Sequence, residues 1–173
     1  MNLHIVYETE RLLLMPTSVQ DTSFILELLN TPKWLQFIGD RNVKNLAAAE
    51  KYIHTKILPQ YEKNGFGNYT ISLKENGIKI GSCGLYDREG IDGIDIGFAF
   101  LPTYEKQGYA FESVSKIKEI AINQFKLDKL SAITDRRNLD SQRLLEKLDL
   151  KFSGFIVLPK SEEELMLYIW NSN

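Results

Sequence analysis

The chain has one cysteine in 173 residues, so it can form no internal disulfide. Cys83 sits in the apolar run from Lys79 to Tyr86, the setting of a buried structural thiol rather than a nucleophile. Histidine is nearly as scarce. His4 and His54 are far apart, with no ligand spacing around either, which argues against a metal site. No apolar run is long enough to span a bilayer and no signal-peptide pattern opens the chain, so the expected setting is the cytoplasm, with no membrane partner. Neither sign of charge dominates: the net charge of -2 argues against direct binding to a nucleic-acid backbone. The Gly-x-Gly-x-x-Gly dinucleotide fingerprint is missing, and no Gly-Lys-Ser/Thr P-loop occurs.

What is present is the composition of an ordinary globular protein, 43% apolar and 25% charged, of a size for a single domain over 1–173. Thr9 to Met15 reads as a strand ending at Pro16. Ser18 followed by Asp21 is a capping-box pattern, and Val19, Phe24, Leu28 and Leu29 form the apolar face of the helix behind it. Thr31-Pro32 stops or restarts that helix. Trp34 to Gly39 reads as an aromatic, irregular loop, either a core plug or the wall of a cleft. A second helix is expected from Leu46 to Tyr61. Asn76-Gly77 joins strands Tyr69 to Leu73 and Ile78 to Tyr86 as a hairpin. Leu130 to Thr134 is a further strand, Asn138 opens a helix with Leu144, Leu145 and Leu148 on its face, and Phe152 to Trp170 closes as a hairpin around Pro159-Lys160-Ser161. The order β-α-α-β-β-β-α-β-α-β-β implies an α/β fold, in the α+β sense of one mixed sheet with helices on its faces.

The organising stretch runs from Gly90 to Ala121. Ile94, Ile96 and Phe98 alternate with Asp95, Gly97 and Ala99, the period of a strand with one packed face. Leu101-Pro102 breaks the strand. Gly108-Tyr109-Ala110 then puts small residues at the mouth of a helix whose stripe is Val114, Ile117, Ala121 and Ile122. A helix N-terminus has unpaired N–H groups and a favourable dipole for an anion, and small side chains admit a phosphate to the backbone. A plain turn beside a packed helix gives the same pattern.

These pieces, with Thr9 to Asp21, Asp95 to Leu101, Tyr104 to Ser113 and Asn138-x-x-Ser141 in that order, resemble the GNAT acyl-CoA N-acetyltransferases, and within them the Rim-type branch of ribosomal-protein N-terminal acetyltransferases. The resemblance implies acetyl-CoA as co-substrate and no metal. It implies that the backbone of Gln107, Gly108, Tyr109, Ala110 and Phe111 holds the pyrophosphate. The strand after Asp95 would splay from Leu130 to Thr134 and admit the pantetheine arm beside Phe98, Ala99 and Phe100. Asn138 would bind the same arm. Glu105 departs from the Gln or Arg that opens the family's phosphate motif.

Acetyl transfer to an amine requires an acceptor for the amine's proton, alignment of the reactants, donors to the carbonyl oxygen, and a group to assist departure of the thiol. The resemblance implies Asp95 for the first and Ser141 for the last, since Leu145 stands where many members have a tyrosine. It places Trp34, Phe37 and Ile38 in the acceptor cleft and Arg136 and Arg137 toward the adenosine phosphate. The acceptor is open between a protein N-terminus and a small amine, and Glu162-Glu163-Glu164 would favour a cationic one. A homodimer is left open. The alternative is a catalytically silent acyl-CoA-binding protein of the same fold.

Overall fold

Among the described residues one mixed sheet of eight strands organises the fold. The computed structural model describes residues 5–173, so His4 lies outside the described residues. In chain order the strands are β1 (Tyr7–Glu8), β2 (Leu12–Pro16), β3 (Asn68–Leu73), β4 (Lys79–Asp87), β5 (Ile94–Phe100), β6 (Lys129–Thr134), β7 (Lys151–Val157) and β8 (Glu164–Asn171). Across the sheet they run β1-β2-β3-β4-β5-β6-β8-β7. β5 and β6 are parallel and the other neighbours antiparallel. A parallel pair needs a crossover, and α5 (Tyr109–Asn123) supplies it. The sheet has the expected mixed form with one extra strand, because β1 is too short to leave an alternation in the sequence.

The remaining helices are α1 (Thr22–Leu28), α2 (Pro32–Phe37), α3 (Leu46–Tyr52), α4 (Leu58–Asn64) and α6 (Leu139–Lys147). The capping box forms as the sequence suggests: Ser18 accepts from the Gln20 N–H, and Asp21 accepts from the Ser18 N–H at 2.9 Å. It caps a 3₁₀ turn, Val19–Asp21, before α1 begins. Val19 is therefore off the helical stripe and 42% exposed, whereas Phe24, Leu28 and Leu29 are buried with Ile25.

Trp34 to Gly39 is not an irregular loop. Thr31 caps a helical turn, its hydroxyl accepting from the Trp34 N–H, and Pro32 occupies the first position, where a missing N–H costs nothing. The helix expected over Leu46 to Tyr61 reaches Asn64 but is interrupted. Pro59 has no N–H for the carbonyl of Thr55, and its ring crowds that turn. The chain widens into a π turn, Ile53–Ile57, where the Leu58 N–H reaches back to Ile53 O.

Two apolar cores cover opposite faces of the sheet. Leu85, Cys83 and Ile96 pack with Val114, Ile117 and Ala121 of α5 and Leu145 and Leu148 of α6. Ile120 joins the buried stripe of α5 where Ile122 was expected; Ile122 lies one position beyond it and is half-buried. The second core gathers Phe24, Ile25, Leu28, Ala49, Ile53 and Ile57 from α1, α3 and the π turn. Strand alternation sends Tyr86, Asp95, Gly97 and Ala99 to this second side. The face that a one-sided strand would offer to water is thus roofed by helices.

Candidate active site

β5 and β6 pair at Ile94↔Leu130 and Asp95↔Ser131, and no further. β5 stays paired to β4 as far as Phe100↔Gly81 on its other edge. From Ile96 onward the edge facing β6 is open, and such an edge carries backbone groups that need partners. Leu101 and Pro102 end the strand as expected, in a 3₁₀ turn, Pro102–Tyr104.

The next turn is shaped by two residues in the left-handed region, Lys106 (φ 58°) and Gly108 (φ 84°). Gly108 is the N-cap of α5. The N–H groups of Gln107 to Phe111 donate to no backbone carbonyl among the described residues, as expected for a helix start. Arg11 braces the turn from β2's approach. Its Nη1 donates to Gln107 O at 3.1 Å, its guanidinium lies 4.3 Å from the Tyr109 ring centre, and its Nε meets Glu112 Oε2 at 2.7 Å. Glu112 also accepts from Thr9 Oγ1 at 2.6 Å and from the Arg11 N–H at 2.8 Å. Glu112 thus ties the β1–β2 turn to the helix start. The Gln107 side chain turns back to Thr103 O, so Gln107 and Tyr109 offer backbone, not side chains, to the cleft.

Glu105, the departure from the family's phosphate motif, is neutralised. Lys33 of α2 donates to its Oε2 at 2.7 Å, with Asp140 of α6 at 3.7 Å from the same ammonium. Sequence reasoning passed over Lys33 because its partner lies 72 positions away.

Asp95 is 2% exposed, while the Asp92 carboxylate points to solvent and pairs with Lys129 at 2.8 Å. Burial pushes the Asp95 carboxyl up to about 6, against the opposing pull of Arg88, whose Nε lies 3.3 Å away. Gly97 has room for no side chain beside Tyr86: a Cβ there would lie 2.9 Å from the ring. The Tyr86 hydroxyl donates to Asn68 Oδ1 at 2.5 Å, and burial raises the Tyr86 pKa well above its ordinary value.

A cavity of about 520 Å³ brings together Asp95, Phe98, Ala99, Asn138 and Ser141 with Trp34, Phe37 and Ile38. A second, of about 290 Å³, shares the last seven of these and adds Phe100, Gly108, Ala110 and Phe111. The two form one cleft, from the Gly108 turn past the open β5 edge to Asp95. Asn138 caps α6, its Oδ1 accepting from the Ser141 N–H at 3.2 Å. The Ser141 hydroxyl has no partner among the described residues. Leu145 is 1% exposed and brings no hydroxyl to the inner end of the cleft.

Arg136 lies over the Phe155 ring and pairs with Glu164. Arg137 pairs with Asp135 at 2.6 Å and lies 5.8 Å from the Phe37 ring centre. Arg136 therefore engages the C-terminal hairpin and Arg137 engages Asp135 and α2. Among the described residues no three His, Cys, Asp or Glu side chains gather as a metal-ligand set, and no helix is long and apolar enough to cross a membrane.

Residues 11–151 match the family model described as the acetyltransferase (GNAT) domain. The uncharacterized N-acetyltransferase YnaD of Bacillus subtilis is 25% identical over 166 residues, spanning 90% of this chain and 89% of that protein. YoaA of the same organism, also an uncharacterized N-acetyltransferase, is 24% identical over 152 residues, 87% of this chain and 85% of its own. Among solved structures, an acetyltransferase from Agrobacterium tumefaciens superposes with a TM-score of 0.81 at 21% identity, covering 97% of this chain and 95% of its own. RimL, a ribosomal alpha-N-protein acetyltransferase solved in complex with coenzyme A, superposes with a TM-score of 0.82 at 14% identity, covering 97% and 98%.

Proposed function

The chain belongs to the GNAT acetyltransferase family, an acetyl-CoA-dependent N-acetyltransferase, and from that premise we propose that it moves the acetyl group directly to a primary amine, with Asp95 accepting the amine's proton. The observation that carries the reading is the single cleft joining the Gly108 turn to Asp95 through the open β5 edge.

The residues present fit acetyl-CoA. The N–H groups of Gln107 to Phe111 would hold its pyrophosphate, and the open backbone edge beside Phe98, Ala99 and Phe100 would hold the pantetheine amides, with Asn138 Nδ2 as a further donor. Lys33 removes the repulsion that Glu105 would exert on a phosphate. When bound, acetyl-CoA supplies the acetyl group as a reactive thioester.

The protein's own part is then orientation and proton handling. Asp95 sits where a buried carboxylate near neutrality can first hold an ammonium and then take its proton, directly or through a water. A carboxyl titrating at about 6 is ionised at pH 7 to 8 yet basic enough to be protonated in the reaction. Arg88 fixes the carboxylate and keeps it from rising further. Ser141 Oγ offers a hydrogen bond at the thiol end, where Leu145 offers none. Trp34, Phe37 and Ile38 wall the acceptor approach and limit water entry.

The acceptor is a protein N-terminus or a small-molecule amine. The likeness to RimL in shape supports keeping the N-terminus in view. The test is a panel of amines with acetyl-CoA, followed by release of free thiol and by mass of the acetylated product. Transfer to at least one primary amine, lost in Asp95→Asn, is expected. Saturable coenzyme A binding with no transfer to any amine would instead favour a silent acyl-CoA-binding protein.

A further inference from the structure

Two exposed cations at the acceptor end of the cleft, Arg41 and Lys56, stand outside any ion pair among the described residues. Among the described residues, six charged ones line the larger cavity: Arg41, Lys56, Arg88, Asp87, Asp95 and Asp135. Each of the three carboxylates already has a cation. Asp87 pairs with Lys63 at 2.7 Å, Asp95 with Arg88 at 3.3 Å, and Asp135 with Arg137 at 2.6 Å. Arg41 and Lys56 have no carboxylate partner among the described residues. The nearest acid in sequence to Arg41, Asp40, is engaged by Lys44 at 3.0 Å.

Their positions are set by structure. Lys56 belongs to the π turn that Pro59 imposes, and it shares the cavity wall with Tyr52, Ile57 and Gln60. Arg41 follows α2 and faces the same cavity. Glu162, Glu163 and Glu164 line neither cavity: Glu164 is held by Arg136, and Glu163 lies behind the cavity wall against Asp135 and Arg137.

Resting on the acetyl-transfer reading above, we infer that the acceptor is an amine that also carries an acidic group, with its amine at Asp95 and its carboxylate met by Arg41 and Lys56. An amino acid with a free carboxylate and a peptide N-terminus followed by an acidic residue share this chemistry. Polyamines and aminoglycosides, which carry only positive charge, would meet two uncompensated cations here.

The test measures kcat/KM, with saturating acetyl-CoA, for glutamate, its diamide, an Asp-containing tetrapeptide, its Asn counterpart and spermidine. Coenzyme A affinity of each protein is measured in parallel by calorimetry. The acidic member of one or both matched pairs is expected to be preferred at least about tenfold, the size of one charge-assisted contact. Preference within the glutamate pair identifies a free amino acid, and preference within the peptide pair identifies a protein N-terminus. Arg41→Ser and Lys56→Ser should each reduce that preference severalfold, mainly through KM. Lys56→Glu should shift the ranking toward spermidine. Spermidine or the neutral partners used as well as the acidic ones, with wild-type coenzyme A binding intact, overturns the inference and leaves acetyl transfer standing. Failure of the wild-type protein to bind coenzyme A overturns both.

Discussion

Replacing Asp95 with Asn should make the protein more stable and less active, and pH separates the two effects. In the folded chain burial moves this carboxyl from 3.8 to about 6. Between those values the native state binds more protons than the unfolded chain, so stability falls as pH rises through the window. Above about 6 the penalty for holding a buried charge is full and constant; below about 4 it is absent. A shift of about two units corresponds to ~3 kcal/mol. That figure already includes the attraction of Arg88, which pulls the carboxyl down against burial, and Asn keeps an acceptor for Arg88. A gain of about 3 kcal/mol at pH 8 follows, or a Tm rise of roughly 6–12 °C for a chain of this size. Near pH 4 the gain should vanish, because a protonated Asp and an Asn cost much the same to bury. Denaturant unfolding at pH 8 and at the lowest pH where the fold persists measures this. In parallel kcat/KM should fall about a hundredfold or more, the range for a lost general base, and the wild-type limb near pH 6 should disappear. A variant destabilised equally at both pH values, or one with full activity across the profile, would refute the reasoning.

Gly108→Val forces a branched side chain into a left-handed conformation at φ 84°, with a Cβ 3.2 Å from Arg11 Nη2, and should weaken coenzyme A binding about tenfold or more by calorimetry; unchanged affinity would remove the turn from the phosphate site. Lys33→Met leaves Glu105 uncompensated at the same turn, so coenzyme A affinity should fall severalfold at low salt and recover in the Lys33→Met, Glu105→Gln double variant. If the double variant binds as poorly as the single one, the effect is not electrostatic. Ser141→Ala should lower kcat severalfold with little change in the KM for acetyl-CoA, and a change confined to KM would place Ser141 in binding rather than in thiol departure.

Much of this fold is written in short-range signals. The Ser18 and Asp21 cap, the Asn76-Gly77 hairpin, the Leu101-Pro102 break and the Gly108 helix start each rest on chemistry within a few residues. What the sequence hides is set by contacts across the sheet. Strand alternation assigns Asp95 to the face opposite Ile96 but cannot show that α1 to α4 roof that face, so its burial was not legible. The pairing of Lys33 with Glu105 and of Arg11 with Glu112 joins residues 72 and 101 positions apart, and nothing local announces either. The π turn follows from Pro59 once the helix is known to continue past it, whereas Trp34 to Gly39 misread as a loop because a single helical turn shows no period.

The proposed chemistry requires acetyl-CoA to lie along the open edge of β5 with its pyrophosphate at the start of α5. Hydrogen exchange of the intact protein with and without saturating coenzyme A tests it most directly. New protection is expected in peptides covering residues 96–100, 107–111 and 130–134. Protection absent from all three, or confined to another part of the sheet, would contradict it.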